Sequence, residues 1–231
     1  MIDDIRSGNA WLIHHQPIRD SLSLLYLLTD KGYLKGFYRH KSSAPKPLAF
    51  SSYWVAWKKN KQAINIQSLE FSAAPCWLKN LKLIVGLYLN ELIYHLCKVE
   101  EPELNNHIYQ AYEEIIRHPQ ECPLLLLRRF EWLLLANCGY AIDFTRTSDN
   151  KAIEPALHYN FAPDGGFLCA FNGWLGADII QIAEGNWDSS NLNILKTTLR
   201  RTIDYVLDGK KLQSRDLLKT WLANQQTSSM P

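Results

Sequence analysis

Residues 22–38 read LSLLYLLTDKGYLKGFY. The stretch holds two runs rich in aliphatic and aromatic residues, Leu22–Thr29 and residues 33–38, on either side of the turn signal Asp30-Lys31-Gly32. Short runs of this composition, bounded by glycine and polar residues, are typical of β-strands. The stretch therefore predicts two consecutive strands joined by a turn.

Three more strand-like runs surround this pair, at residues 11–15, 53–57 and 63–71. Turn signals separate the runs, namely Gln16-Pro17, residues 42–47 and Lys59-Asn60-Lys61. Five short strands within about 70 residues predict a small closed sheet such as an OB-type β-barrel. A small β-sandwich is the alternative.

The spacing of the apolar residues changes after Pro75. From Leu78 to Leu96 they recur every three or four positions, which predicts a long amphipathic helix. Further helices are predicted over residues 104–117, Leu124–Asn137, residues 191–207 and residues 214–222. The candidate N-terminal cap of the third of these helices is Ser189, Ser190 or Asn191, and that of the fourth is Ser214. The predicted fold is α+β and multidomain. An N-terminal OB-type β-barrel domain spans residues 1–75, and a mostly α-helical domain without a zinc finger spans residues 76–231.

Composition limits the class of protein. The 231 residues carry a formal net charge of +2, and 47% of them are hydrophobic, which excludes a disordered or collagen-like chain. No apolar run reaches the ~18 residues that cross a bilayer, and the first residues do not resemble a signal peptide, so we expect a cytoplasmic protein. The five cysteines are widely spaced without a C-x-x-C pair, which indicates free thiols and neither a disulfide framework nor structural zinc.

Basic residues are concentrated in the first third of the chain. Residues 31–61 contain eight lysines and arginines and no carboxylate. Such a patch attracts polyanions, and a merely solvated face is the alternative. The candidate DNA-binding residues are Lys35, Arg39, Lys41, Lys46, Lys58, Lys59 and Lys61.

The second strand of the opening pair combines cations with aromatic rings. Alternation along a strand places Tyr33, Lys35, Phe37 and Arg39 on one face. On such a face, cations follow a phosphate backbone and rings stack on unpaired bases. Alternatively, the two rings belong to the barrel core and the cations only border it.

Signals for catalysis are absent from the sequence. It contains no glycine-rich nucleotide loop, no nucleophile elbow and no H-E-x-x-H metal motif. His14 and His15 are adjacent on a predicted strand, so their side chains point to opposite faces and do not readily share a metal ion. We therefore expect no enzymatic activity, no cofactor and no metal site.

Arg128 and Arg129 interrupt an otherwise apolar predicted helix. An arginine beside an apolar groove is suited to bidentate binding of a carboxylate, including a peptide C terminus. These two arginines form the candidate partner-peptide site. A salt bridge to Glu91 or Glu131 is the alternative.

The chain resembles the RecO family of bacterial recombination mediators. The stretches that carry the resemblance are LYLNEL at residues 87–92, LRRFE at residues 127–131 with Gly139-Tyr140 and Phe144 after it, and GKKLQSRDL at residues 209–217. Residues 10–13, 20–21 and 28–32 fit the family's opening strands more loosely. The resemblance covers nearly the whole chain.

This resemblance implies an OB fold followed by a helical domain without catalytic turnover. It implies binding of single- and double-stranded DNA, strand annealing, and recombinase loading with the partner RecR by a cytoplasmic, nucleoid-associated protein. It also implies binding of the C-terminal tail of single-stranded-DNA-binding protein, in a pocket that includes the first arginine of LRRFE, here Arg128. Many members carry a four-cysteine zinc site after the glycine–tyrosine pair. Only Cys169 follows that pair here, so we predict no zinc, and the basic loop at residues 40–47 carries less charge.

Two alternatives from other classes stay open. The first is a non-catalytic adaptor whose basic barrel contacts a protein partner instead of DNA. The second is a hydrolase with dispersed carboxylates, which requires acids that converge in a cleft.

Overall fold

A computed structural model describes residues 5–40, 46–60, 63–97, 106–188 and 190–228. No helix within these ranges has the length and apolar character that would let it cross a membrane. The chain divides into two compact units: the first unit comprises residues 1–123 and 212–231, and the second unit comprises residues 124–211. The predicted boundary at residues 75 and 76 lies inside the first unit, where strands give way to helices. The division into domains over residues 1–75 and 76–231 stays a prediction.

Five strands form a closed barrel in the first unit. They are β1 (Ile5–Arg19), β2 (Leu22–Thr29), β3 (Gly32–Arg39), β4 (Ser52–Lys59) and β5 (Ile64–Phe71). Their order around the barrel is β1-β2-β3-β5-β4, and neighbours are antiparallel except for β3 and β5, which run parallel. This five-stranded closed sheet confirms the predicted OB-type barrel and excludes the sandwich.

Alternate residues of the strands fill the barrel interior, as the pleat of a strand requires. The core consists of Ala10, Leu12, Leu25, Leu27, Leu34, Tyr53, Val55, Trp57, Ile64 and Ile66. Tyr38 and Leu69 pack against this core and are partly buried. The side chains between these positions point outward, where they pack against helices or face solvent.

Strand β1 is longer than predicted. The sequence predicts a strand over residues 11–15 that ends at Gln16-Pro17, whereas β1 runs over Ile5–Arg19. β1 pairs with β4 only as far as Trp11 and then with β2 alone, so its second half is a sheet edge. Proline has no N–H to donate, and this is tolerated in an edge strand that has a register irregularity just after Pro17. The chain therefore continues as a strand through Gln16-Pro17, where the sequence predicts a turn.

Helices α1 (Asn80–Leu96) and α2 (Asn106–Arg117) follow the barrel, and one asparagine of α1 links them to it. Asn90 Nδ2 donates to the Ile13 carbonyl of β1 at 3.1 Å, and Asn90 Oδ1 accepts from the Tyr112 hydroxyl of α2 at 2.7 Å. Both side chains are buried, and an unpaired polar group there would cost about 1–3 kcal/mol. Burial raises the pKa of Tyr112, which keeps its hydroxyl protonated as a donor.

A carboxylate of α1 holds the C-terminal helix α6 (Gln213–Ser228). Glu91 accepts hydrogen bonds from the backbone N–H groups of Gln213 and Ser214, each at 2.9 Å, and from the Ser214 hydroxyl at 2.5 Å. The first N–H groups of a helix have no partner within the helix and carry partial positive charge, so an anion there is stabilising. Arg215 of α6 adds a cation–π contact, with its guanidinium 6.0 Å from the ring centroid of Tyr88.

The predicted cap of this last helix is wrong. Ser214 lies inside α6 and donates to Glu91, so the cap comes from a residue far away in sequence. The helix also runs to Ser228 instead of ending at residue 222. Similarly, Asn191 precedes α5 but makes no side-chain cap bond, while Asp188 accepts the N–H groups of Ser190 and Asn191.

The second unit combines helices with a small sheet. It contains α3 (Leu124–Asn137), β6 (His158–Ala162), β7 (Gly166–Ala170), β8 (Trp174–Leu175), α4 (Gly176–Ala183) and α5 (Leu192–Leu207), with the strands in the order β7-β6-β8. The barrel followed by helices confirms the predicted fold class, although the short elements between α3 and α5 are not predicted. Helix α3 ends as expected at Gly139, whose φ is +84°, and the Tyr140 N–H closes on the Leu135 carbonyl at 2.9 Å.

Removal of the Glu91 carboxylate tests its role in holding α6. We expect Glu91→Ala to lower the free energy of unfolding by about 2 kcal/mol, because three hydrogen bonds to a charged group are lost. Amide hydrogen exchange at Gln213 and Ser214 should accelerate in the same variant. Chemical denaturation measures the first effect and exchange mass spectrometry the second.

The control is Glu114→Ala, which removes an exposed carboxylate from α2. We expect its unfolding free energy to stay within about 0.5 kcal/mol of the parent. Equal stability of the Glu91 and Glu114 variants would show that the cap contributes nothing.

Candidate functional site

The outer face of β3 carries the residues that alternation predicts. Leu34 belongs to the barrel core and Tyr38 packs against it, so Tyr33, Lys35, Phe37 and Arg39 point outward. Tyr33 is buried on this outer side near Tyr26, where burial raises its pKa. Phe37 is 37% exposed, so the two rings of this strand have different environments.

Residues of three adjacent strands form one row on the outer surface. Phe37 of β3 pairs in register with Asn65 of β5, and Asn65 pairs with Lys58 of β4. Because neighbouring strands lie about 4.8 Å apart, the backbones of Phe37 and Lys58 are separated by about 10 Å. We call the outward surface formed by Lys35, Phe37, Arg39, Asn65 and Lys58 the cationic face.

The individual cations differ in their surroundings. Lys35 is half-buried, with its Nζ 5.2 Å from the ring centroid of Tyr26, whereas Arg39 is exposed at the end of β3. Lys46 is exposed in the connection to β4. Burial lowers the pKa of His15, and the charge of Lys46 adds to this effect. Among the described carboxylates, none forms a salt bridge with Lys35, Arg39 or Lys46.

The remaining predicted cations are not assigned to this surface. Lys59 follows Lys58 at the end of β4 and is exposed, but it occupies the alternate position, which continues the inward row of Trp57. Lys41 and Lys61 lie outside the residues that the structure describes. The structure therefore brings Lys35, Arg39 and Lys58 together around Phe37, whereas Lys46 lies in the connection that precedes β4.

Sequence reasoning missed Asn65 as a member of the cationic face. Its outward position follows from alternation along β5, but its neighbours depend on the parallel pairing of β3 with β5. Parallel partners far apart in sequence leave no local signal such as a hairpin turn. The amide of Asn65 supplies both a hydrogen-bond donor and an acceptor between Phe37 and Lys58.

His14 and His15 have separate partners. The His14 ring lies 4.9 Å from the Tyr94 ring, and His15 Nε2 lies 2.9 Å from the Ser23 hydroxyl oxygen. Burial lowers the pKa of both imidazoles, which favours their neutral form. The described residues include no cluster of three or more histidine, cysteine or acidic side chains that could hold a metal ion.

The predicted peptide site on α3 contains an ion pair. Arg128 Nη1 lies 2.5 Å from Glu131 Oε2, and the two side chains are 12% and 1% exposed. Of the two predicted salt-bridge partners, Glu131 is therefore the one found, while Glu91 binds α6. Arg129 is exposed on the same helix.

Exposed leucines lie next to these arginines. Leu124 and Leu125, at 54% and 51% exposure, precede Arg128 by four and three residues, and this spacing places side chains on neighbouring positions of a helix surface. Leu125 also precedes Arg129 by four residues. The first two turns of α3 thus present apolar surface beside guanidinium groups.

Comparison with known proteins identifies the family. Residues 80–225 match the sequence model of the family described as "Recombination protein O C terminal". The chain is 29% identical to the DNA repair protein RecO of Legionella pneumophila (strain Paris) over 222 residues, which covers 92% of this chain and 97% of that relative. It is 29% identical to the protein of the same name from Stutzerimonas stutzeri (strain A1501) over 217 residues, which cover 90% of this chain and 91% of that relative. It is 28% identical to the protein of the same name from Pseudomonas aeruginosa (strain LESB58) over 223 residues, which cover 90% of this chain and 92% of that relative. Because the family match spans more than half of its length, this protein belongs to the RecO family of DNA repair proteins.

Proposed function

We propose that this protein is a non-catalytic recombination mediator that binds single- and double-stranded DNA through the cationic face. It anneals complementary strands and, with RecR, helps to load recombinase onto DNA coated by single-stranded-DNA-binding protein. Family membership and the names of its relatives support a role on DNA. The observation that carries the binding site is the row Lys58–Asn65–Phe37, flanked along β3 by Lys35 and Arg39.

Annealing follows from charge neutralisation. Two DNA strands repel each other through their phosphates, and lysine or arginine contacts displace the condensed counterions. A surface that binds phosphates without reading bases accepts either strand and the duplex product. The cations of the cationic face have this character, because Lys35, Arg39 and Lys58 all lie on one outward surface of the barrel.

The salt dependence of DNA binding tests the cationic face. If about four phosphates are neutralised, log K for a single strand should fall with log salt at a slope near −3. The double variant Arg39→Gln/Lys58→Gln should reduce the slope to about −1.5, since each lost contact on a single strand removes about 0.7. Fluorescence anisotropy of a labelled oligonucleotide over a salt series measures both slopes.

A matched control is the double variant Lys196→Gln/Lys219→Gln, which removes two exposed cations from α5 and α6. Its slope should equal that of the parent. Equal slopes for all three proteins would move the DNA site away from the cationic face. Absence of binding at low salt would favour the adaptor whose basic barrel contacts a protein.

We also infer that Arg128 and Arg129 bind the C-terminal tail of single-stranded-DNA-binding protein. The exposed Leu124 and Leu125 offer apolar contact for the last side chains of a peptide, and the guanidinium groups offer donors for its carboxylate. Glu131 contacts Nη1 of Arg128, and the guanidinium has further N–H groups at Nε and Nη2. The ion pair thus fixes the orientation of the Arg128 guanidinium, and the N–H groups at Nε and Nη2 can donate to the peptide carboxylate.

An acidic peptide with either a free or an amidated C terminus tests this site. We expect Arg128→Ala to weaken binding of the free-carboxylate peptide by about 2 kcal/mol or more, because the charge pair is desolvated. Amidation should weaken binding to the parent protein by a similar amount and have little further effect on the variant. Isothermal titration calorimetry measures all four affinities.

Arg128→Ala also leaves Glu131 buried without its cation, which should lower the free energy of unfolding by about 3 kcal/mol. Arg129 is exposed, so Arg129→Ala should leave the free energy of unfolding unchanged. It should weaken binding of the peptide less than Arg128→Ala does. Arg200→Ala, on α5, removes an exposed cation as the control. If Arg128→Ala is folded and binds both peptides as the parent does, the tail binds elsewhere.

A further inference from the structure

We propose that Phe37 is the platform on which an unpaired base stacks, and that this ring makes the protein prefer single-stranded over double-stranded DNA. The inference rests on the proposed function, because it assigns the strand preference to the same cationic face. Phe37 points outward and is 37% exposed, at the centre of that face. The positive charges of Lys35, Arg39 and Lys58 surround the ring, and the side-chain amide of Asn65 lies between Phe37 and Lys58 in the sheet.

The positions around the ring match the chemistry of a single strand. Lys35 and Arg39 lie two residues before and after Phe37 on the same face, at about 7 Å along the strand. Lys58 lies across the face beyond Asn65. Cations at this distance contact the phosphates that flank a stacked base, and the Asn65 amide hydrogen-bonds an exposed base edge.

A duplex cannot use the ring in this way. Its bases are paired and stacked on each other, so their faces are closed to a side chain, whereas a single strand presents every base face. The cations bind both forms, but only the single strand gains the stacking contribution. The ring therefore makes the affinity for a single strand higher than the affinity for a duplex. The charges alone would bind both forms through the same phosphate contacts.

A second exposed aromatic residue on the barrel has a different environment. Trp54 of β4 also points outward and is 46% exposed. Its register partners are Asn9 of β1 and Glu70 of β5, so a carboxylate occupies the position next to the ring. Because that negative charge repels phosphate, Trp54 is a matched control for an exposed ring outside the cationic face.

The experiment compares a labelled oligothymidine with a blunt duplex of equal length, by fluorescence anisotropy at one salt concentration. We expect Phe37→Leu to weaken binding of the single strand about five-fold to a hundred-fold, and to leave binding of the duplex within about two-fold. Phe37→Trp should restore single-strand binding. Trp54→Leu should change neither affinity, and thermal melting establishes that each variant is folded.

The outcomes separate this inference from the proposed function. If the parent binds DNA and Phe37→Leu binds the single strand equally well, the ring is not a platform, while the role of the cations stands. Equal losses for strand and duplex also overturn the inference, because stacking on an unpaired base affects only the strand. If the parent binds neither form, the proposed function and this inference both fall.

Discussion

Two adjacent residues of α1 hold the first unit together. Asn90 ties strand β1 to helix α2 through two buried hydrogen bonds, and Glu91 ties the C-terminal helix α6 to the same turn of α1. Both use polar groups where the backbone would otherwise lack partners, at the Ile13 carbonyl and at the start of a helix. Glu91 belongs to the stretch LYLNEL, and its partners Gln213 and Ser214 belong to the stretch GKKLQSRDL.

This arrangement determines which side of the barrel is covered by helices. The Trp11 ring packs against Tyr112 of α2, and the Tyr26 ring packs against Tyr94 of α1, so helices cover the outer side of β1 and β2. On the neighbouring strand β3, Phe37 and Arg39 are exposed. The same alternation that fills the barrel interior thus supplies helix contacts on one side and the cationic face on the other.

Local patterns in the sequence predict most of the fold, and long-range contacts explain what they miss. Alternation and turn residues predict all five barrel strands, but the signal at Gln16-Pro17 fails because β1 continues there as an edge strand. The cap of α6 could not be predicted, since Glu91 lies more than 120 residues before it. For the candidate site, alternation predicts the outward residues of β3, whereas Asn65 joins them only through the parallel register of β3 and β5. Proximity of Arg128 to Glu131 was predictable because both lie on one helix.

The parallel pairing of β3 and β5 is also the place where the barrel closes. Within the described strands, the two pair at Phe37–Asn65 and Tyr38–Ile66 alone, whereas β2 and β3 pair from Leu22–Arg39 through Thr29–Gly32. The cationic face crosses this short seam, with Phe37 on one side and Asn65 and Lys58 on the other. A nucleic-acid strand bound to residues on both sides of the β3–β5 pairing would stabilise the closed barrel, because a ligand that binds only one state of a protein shifts the equilibrium toward that state by mass action. The seam would then couple DNA occupancy to the rigidity of the whole barrel.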